Sequence, residues 1–343
     1  MAGKVNMQRV AEVAGVSKSS VSLALRDDPR LALATRRRIQ EVAARLGYRK
    51  NPVVASLMAQ LRVSQSPRFH ANVALVNCSQ QRRIYEDPRY AELRRGLRER
   101  LDLSGYGVDD LWIMDRGMSG PRIRTILETR GVRGVVLLAT VDTPPLFTDT
   151  PGVFDEFCVV LAGFDRSPVP IHRAAGNPFY ASRRALEIVI EVGYRRPGLV
   201  VNNRMDRALQ RGWSAGFLAG LQDAPVSDVN RPMPLFLDSA NPESFRFWFE
   251  SERPDVILTD HAQVMDWVRA LGLQVPEDVG LMHLDLLPEM ENWAGMRQNY
   301  ALIGAAAAEL VLSQLSHNEF GARSDAKLVL TESEFQPGPT IRY

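Results

Sequence analysis

From Asn72 the chain alternates short apolar runs with longer amphipathic ones, and this alternation limits its fold more than any other feature. "NVALVN" reads as a buried strand, and "YAELRRGLRERLDLSGY" places Leu93, Leu97 and Leu101 on one helical face. "VDDLWIM" reads as a strand, "IRTILETRG" as a helix, and "VRGVVLLA" and "DEFCVVLAG" as further strands. The pattern then restarts: helix "YASRRALEIVIEVGY", strand "PGLVVN", helix "QRGWSAGFLAGLQ", strand "DVILTD", helix "QVMDWVRALG" and strand "VGLMHLD". Strands separated by helix-length segments build parallel, doubly wound α/β sheets, and a restart implies two of them. The 343 residues are also too many for one typical core.

The first 64 residues follow a different rule. A helix is expected from Met7 to Ala14, with Asn6 at its start and Val10, Ala11, Val13 and Ala14 on its apolar face. Gly15 supplies the left-handed residue of a tight corner. In "AGVSKSSVSLAL", Ser17 caps a second helix, and Val16 and Val21 stand at hydrophobic-staple spacing. Val21, Ala24 and Leu25 then face inward, while Lys18, Ser19 and Ser22 face out. Two helices crossing steeply at a short turn make a helix-turn-helix. "TRRRIQEVAARLGY" is a third helix, with Gly47 as its stop. Arg36 to Arg38 on its first turn oppose the helix dipole, so helix stability does not account for them, whereas phosphate contact does.

The net charge of +2 conceals a division. Residues 1–64 hold 12 Lys and Arg against 4 Asp and Glu, a balance of +8; the other 30 basic and 36 acidic residues give −6. A small basic head on an acidic body points to a polyanionic partner. Two cysteines, Cys78 and Cys158, cannot form a disulfide framework, which fits a reducing cytoplasm. "MAGKVNMQRV" has no apolar core of the kind that directs export, and no run of about 18 apolar residues suits a membrane span.

The segment "VAEVAGVSKSSVSLAL…TRRRIQEVAARLGYRKNPVVASLMAQL" resembles the DNA-binding head of the lactose/galactose repressor (LacI/GalR) family. The body segments "GYRRPGLVV", "VPEDVGLMHLD" and "IGAAAAELVLSQL" are similar to that family's two-lobed periplasmic-binding-protein-like domain, in the same order. The resemblance implies an all-α helix-turn-helix domain over 1–50, a hinge helix and linker over 51–69, and a two-lobed α/β body over 70–343. It puts lobe 1 at 70–166 and 298–330, and lobe 2 at 167–297 and 331–343. It further implies a cytoplasmic homodimer that binds double-stranded operator DNA and a small effector such as a carbohydrate, without a cofactor.

The resemblance assigns Lys18, Ser19 and Leu23 to base edges, and Ser17, Ser20 and Ser22 to phosphates. Asn6 and Arg26 join the DNA-binding set. Asn51 and Leu57 match the hinge, where leucine side chains wedge into the minor groove. Effector contacts are expected at strand ends and crossings: Asp165, Asn177, Arg207, Arg211, Asp260, Asp285 and Gln298. Several positions depart from the family. Leu23 stands where a polar reader is common, and Ala32 replaces the usual cap of the third helix, a change worth roughly 1 kcal/mol. Pro52 and Val54 alter the hinge. Thr259–Asp260–His261 and Leu286 replace common polar pairs, and Trp213 stands three residues before Gly216, where the family usually has Arg.

Two other chemistries fit parts of the chain. "GWSAG" matches the nucleophile elbow of α/β hydrolases, with Ser214 as nucleophile and Asp260 and His283 or His317 as partners. The elbow needs a strand directly before it, and "DRALQR" is not one. A solute-binding protein for transport would share the two lobes and leave the basic head without a role. The five histidines have no metal-ligand spacing, and neither a GxxxxGK[ST] nor a strand-linked GxGxxG motif is present.

Overall fold

A computed structural model describes residues 7–25, 31–46, 71–115, 118–138, 140, 152–164, 169–224 and 231–343. Among the described residues, the head forms three helices: α1 (Met7–Ala14), α2 (Lys18–Ala24) and α3 (Leu33–Arg45). Val10, Val21, Ala24 and Ile39 are fully buried where the helices meet. Gly15 turns the corner with φ +63°. Ser17 caps α2 by accepting from the Ser20 backbone N–H at 3.1 Å. α3 starts at Ala32 with no side-chain cap. Its polar residues instead cap its neighbours. The Arg38 guanidinium donates to the Ala14 carbonyl at the end of α1 (3.3 Å), and the Gln40 amide donates to the Ala24 carbonyl at the end of α2 (2.9 Å). The Arg36 guanidinium donates to the Leu31 carbonyl (3.1 Å). Two of the three arginines expected at phosphates therefore help to hold the head together.

Among the described residues, the body has two six-stranded sheets. The first contains β1 (Ala71–Asn77), β2 (Tyr106–Trp112), β3 (Gly134–Leu138), β4 (Cys158–Ala162), β5 (His172–Gly176) and β11 (Leu328–Thr331), in the order β11-β5-β4-β3-β1-β2 and parallel throughout. Alternation along the strands fills both faces. Val73, Leu75, Val136 and Val160 meet α4 (Pro88–Asp102) and α11 (Tyr300–His317), whereas Ala74, Val76, Val135 and Val159 meet α5 (Gly120–Thr129). α4 and α11 pack backbone to backbone: a Cβ added at Gly96 would lie 1.9 Å from the Ala301 carbonyl oxygen, and one at Gly304 would lie 2.0 Å from that of Leu93.

The second sheet runs β12-β10-β9-β8-β6-β7, from β6 (Pro197–Asn202), β7 (Leu235–Leu237), β8 (Val256–Thr259), β9 (Gly280–His283), β10 (Ala294–Arg297) and β12 (Glu334–Gln336). Only the β10–β12 pair is antiparallel. α6 (Pro178–Glu191) and α8 (Gly212–Asp223) cover one face, and α9 (Pro242–Glu252) and α10 (Val264–Ala270) the other. The short helix α7 (Asn203–Ala208) follows β6 directly.

The first passage between lobes lies later than the expected 166. β5 belongs to the first sheet, so that lobe extends to Gly176 and the chain crosses at Asn177. The "HRAAG" of β5 has little intrinsic strand preference and is ordered by pairing with β4 on one side and β11 on the other. The chain crosses again between β10 and α11 and between β11 and β12. The Asn177 backbone N–H donates to the Thr331 carbonyl at 2.9 Å, tying the first passage to the last.

Candidate functional site

Two regions could carry function. The first is the outer face of α2. Ser17 and Lys18 are exposed, and Ser20 and Leu23 are half-buried. The Ser17 and Ser20 hydroxyls lie 2.9 Å apart, so the residues expected at phosphates also steady one another. Ser19 and Ser22 belong to α2 by backbone. Asn6, Arg26, Asn51 and Leu57 lie outside the described residues, as does Asp165.

The second region is a cleft between the lobes, enclosing about 810 Å³ including the part open to solvent. It lies where both sheets point their carboxyl ends. Thr140, Phe164 and Gly176 follow or end strands of the first sheet; Met205 and Asp285 follow strands of the second. Such ends, with helix N-termini around them, are where α/β sheets bind ligands.

Asp285 is the charged centre of the cleft. Tyr300 donates its hydroxyl to Asp285 Oδ2 at 2.8 Å, and an Arg89 terminal nitrogen lies 3.8 Å from the same oxygen. Asp87 holds Arg89 bidentately, accepting from Nε at 3.0 Å and from a terminal nitrogen at 2.7 Å. Burial pushes the Asp285 carboxyl up to about 6; Arg89 and Tyr300 pull the other way, while Asp260 and Asp87 add to the rise. The hydrogen bond from Arg89 holds the Asp87 carboxyl below its ordinary range against its own desolvation. Among the described residues, three buried polar atoms on the lining have no hydrogen-bond partner: Asp285 Oδ1, Gln298 Oε1 and Trp213 Nε1.

The expected effector residues separate into two groups. Asp285 and Gln298 line the cleft. Asn177, Arg207, Arg211 and Asp260 are not on its lining. Asn177 caps α6, accepting from the Tyr180 N–H at 3.0 Å. Arg207 is exposed. Arg211 donates to Asn203 (3.0 Å) and Asp206 (3.2 Å) and stacks over Phe236. Asp260 accepts the Asn202 N–H at 2.8 Å, and burial pushes its carboxyl up to about 7. Beside it, burial pulls His283 down to about 4, and the Asp285 N–H donates to the ring's Nδ1 at 3.2 Å. Arg89 and Tyr300 were not among the expected residues. The signal for Arg89 was "DPRY", an Asp-Pro helix start that fixes the next side chain at the helix mouth.

Ser214 of "GWSAG" lies in the first turn of α8, not between a strand and a helix. It is buried, and its hydroxyl donates to Asp206 Oδ2 at 2.7 Å. Its recorded partners are this carboxylate and the Arg211 carbonyl, and neither is an imidazole that could take its proton. Among the described residues, no group of three or more His, Cys, Asp or Glu could hold a metal, and no helix is long and apolar enough to cross a membrane.

Comparison with known proteins finds matches to both the head and the body. Residues 6–51 match the family described as bacterial regulatory proteins, lacI family, and residues 186–331 match the periplasmic binding protein-like domain. The HTH-type transcriptional regulator CelR of Thermobifida fusca is 27% identical over 335 residues, covering 90% of this chain and 92% of that protein. The solved structure of a CelR–cellobiose complex superimposes with a TM-score of 0.60 at 19% identity, covering 98% of this chain and 99% of the other. The lac repressor dimer bound to operator and the anti-inducer ONPF superimposes with a TM-score of 0.57 at 17% identity, covering 98% of each. The chain thus carries a head similar to the bacterial regulatory proteins of the lacI family over residues 6–51, followed by a periplasmic binding protein-like domain over residues 186–331.

Proposed function

We propose that this protein is a sequence-specific transcription repressor, a cytoplasmic homodimer whose operator affinity is set by a small ligand held between its lobes. The observation that carries this reading is the pairing of an outward-facing α2, capped at Ser17 with Lys18 exposed, with an interlobe cleft that holds unpartnered polar atoms. Two heads on a two-fold body read a pseudo-palindrome. Lys18, Ser19 and Leu23 read bases, Ser17, Ser20 and Ser22 hold phosphates, and Asn6, Arg26 and Asn51 add contacts. Leu57 of the hinge wedges into the minor groove. Leu23 cannot make the bidentate contact to guanine that Arg makes; it meets a thymine methyl.

Asp285 and Gln298 contact the effector, with Arg89, Tyr300 and Trp213 beside them. The cellobiose of the CelR complex supports a saccharide-type effector. Ligand draws the lobes together about their three crossings and shifts the hinges at residues 51–60; linkage requires ligand and operator to change each other's affinity equally. Among the described residues, the committed environment of Ser214 gives the hydrolase reading no support.

The test is binding-site selection with the full chain, followed by gel-shift titration of the selected duplex. A two-fold-symmetric site that Leu57→Ala binds far more weakly is the expected result. Recovery of no preferred sequence would overturn the reading.

A further inference from the structure

Asp285 is a carboxylate at which the two lobes meet. It follows β9 of the second sheet, and the side chains that hold it belong to helices of the first lobe: Tyr300 at the start of α11 and Arg89 at the start of α4. The grip is incomplete. Tyr300 and Arg89 both address Oδ2, at 2.8 and 3.8 Å, while Oδ1 is buried with no hydrogen-bond partner. Arg89 is committed to Asp87 through Nε and one terminal nitrogen, so only its other terminal nitrogen approaches Asp285.

The surroundings give an ionised Asp285 little further help. From α4 and its mouth come the Tyr90 phenol behind Tyr300 and the like charge of Asp87. From the loop after β8 comes the carboxyl of Asp260, with His261 at 3.7 Å from it. The His283 ring of β9 accepts the Asp285 N–H at Nδ1, so it is a neutral imidazole and offers no counter-charge. An ionised carboxylate with one buried oxygen unpartnered has lost hydration that this clasp does not replace. A proton on the carboxyl removes the deficit, and so does a hydrogen-bond donor brought to Oδ1 by a bound effector. Separation of the lobes removes it too, because Tyr300 and Arg89 then withdraw and water reaches the carboxylate.

On the reading of the cleft as an effector site, we propose that lobe closure is proton-linked through Asp285: one proton on its carboxyl does the work of an effector's hydrogen-bond donor, so mild acid closes the ligand-free lobes. Burial in the closed cleft raises this carboxyl from 3.8 to about 6. The closed form therefore binds the proton more tightly than the open form and gains population as pH falls through 6. The gain is about tenfold in the closed-to-open ratio at pH 5 relative to pH 8.

The test is double electron–electron resonance on ligand-free, full-length protein with one spin label on each lobe, diluted with unlabelled protein so that distances are read within a protomer. Cys78 and Cys158 are buried, so labels attach at introduced cysteines. One sample carries Arg122→Cys on α5 with Leu218→Cys on α8, and a second carries Arg98→Cys on α4 with Arg269→Cys on α10, all exposed positions. The ratio of closed to open distances should rise about tenfold from pH 8 to pH 5. Asp285→Asn, uncharged at every pH, should show the pH 5 ratio at both. Tyr300→Phe, which keeps the proton site and loses the clasp, should lower the ratio at pH 5 about fivefold. A wild-type ratio that does not change with pH overturns the proposal. An Asp285→Asn variant that shifts as the wild type does also overturns it, by assigning the effect to another group such as Asp260. Operator selection at pH 8 tests the regulator reading by itself, so that reading and the proton linkage can fail independently.

Discussion

Asp206 holds Ser214 twice: its Oδ2 accepts the Ser214 hydroxyl at 2.7 Å and its Oδ1 accepts the Ser214 backbone N–H at 3.2 Å. The carboxylate is fully buried and also takes the Arg211 guanidinium. Between α7 and α8, Gln210 and Arg211 both adopt left-handed backbone, with φ +55° and +61°. Single left-handed non-glycine residues cost on the order of 1 kcal/mol, so the corner needs this anchor. Ser214→Ala should lower stability by about 1–2 kcal/mol. Asp206→Ala, which removes the acceptor of the Ser214 backbone N–H and the counter-charge of Arg211, should cost about 3 kcal/mol or more. Urea unfolding monitored by tryptophan fluorescence measures both, and ester hydrolysis by the serine variant should equal that of the wild type.

The two polar faces of the head should respond differently to truncation. Gln40→Ala removes a cap on α2 and should cost about 1 kcal/mol of stability without changing which bases are preferred. Lys18→Ala should leave the melting temperature near that of the wild type and relax discrimination at one or two base pairs per half-site. Thermal melts paired with binding-site selection separate the outcomes. An even loss of affinity across all sequences for the Lys18 variant would make Lys18 a phosphate contact.

Asp260 gives the body a pH dependence whose sign can be worked out. Burial raises its carboxyl to about 7 from 3.8, so between those values the folded state holds a proton that the unfolded chain releases. Its stabilising contribution is complete below about pH 4 and is lost as pH rises through 7. His283, lowered to about 4 from 6.5, acts in the opposite direction, because the unfolded chain takes up the proton between those values. Asp260→Asn keeps an acceptor for the Asn202 N–H and removes the buried charge. Relative to the wild type it should gain melting temperature at pH 8, with that gain shrinking as pH falls and gone by about pH 4, the His283 contribution cancelling in the comparison. A gain that is the same at both pH values would refute this account.

Gly304→Ala should separate α4 from α11, since the new methyl would lie 2.0 Å from a backbone oxygen that cannot move by itself. A loss of about 3 kcal/mol is expected. Arg89 begins α4 and Tyr300 begins α11, so effector binding should weaken with the packing. Calorimetry on protein still folded at low temperature measures the second effect.

Local rules made the head and the strand–helix alternation readable. Gly15, Ser17 and the Val16–Val21 spacing act over a few residues, and the structure follows them. The bond from Arg38 to Ala14 spans 24 residues, and nothing near Arg38 announces it. β5 was unreadable for a related reason: its pairing comes from β4 and from β11, more than 150 residues further on. The cleft was half legible. Asp285 and Gln298 line it, but a polar residue at a strand end can equally serve the backbone beside it. Asn177 and Asp260 do so, capping α6 and holding the Asn202 N–H. Residue type at a strand end reveals capacity for polar contact, and three-dimensional neighbours decide where it is used.

The three crossings also fix an order of assembly on the ribosome. The second lobe is nearly continuous from Pro178 to Arg297 and lacks only β12 and the closing segment. The first lobe must wait for α11, whose Ile303, Ala307, Ala308 and Val311 cover one face of its sheet, and for β11 at its edge. Until α11 emerges, a nascent chain carries an apolar sheet face that only α4 covers in part, and until residue 331 emerges the β5 edge stays open, so the lobe translated first is completed last. Chaperone engagement during synthesis should therefore concentrate on residues 71–176, and a stop codon before α11 should leave a protein whose first lobe aggregates through that exposed face.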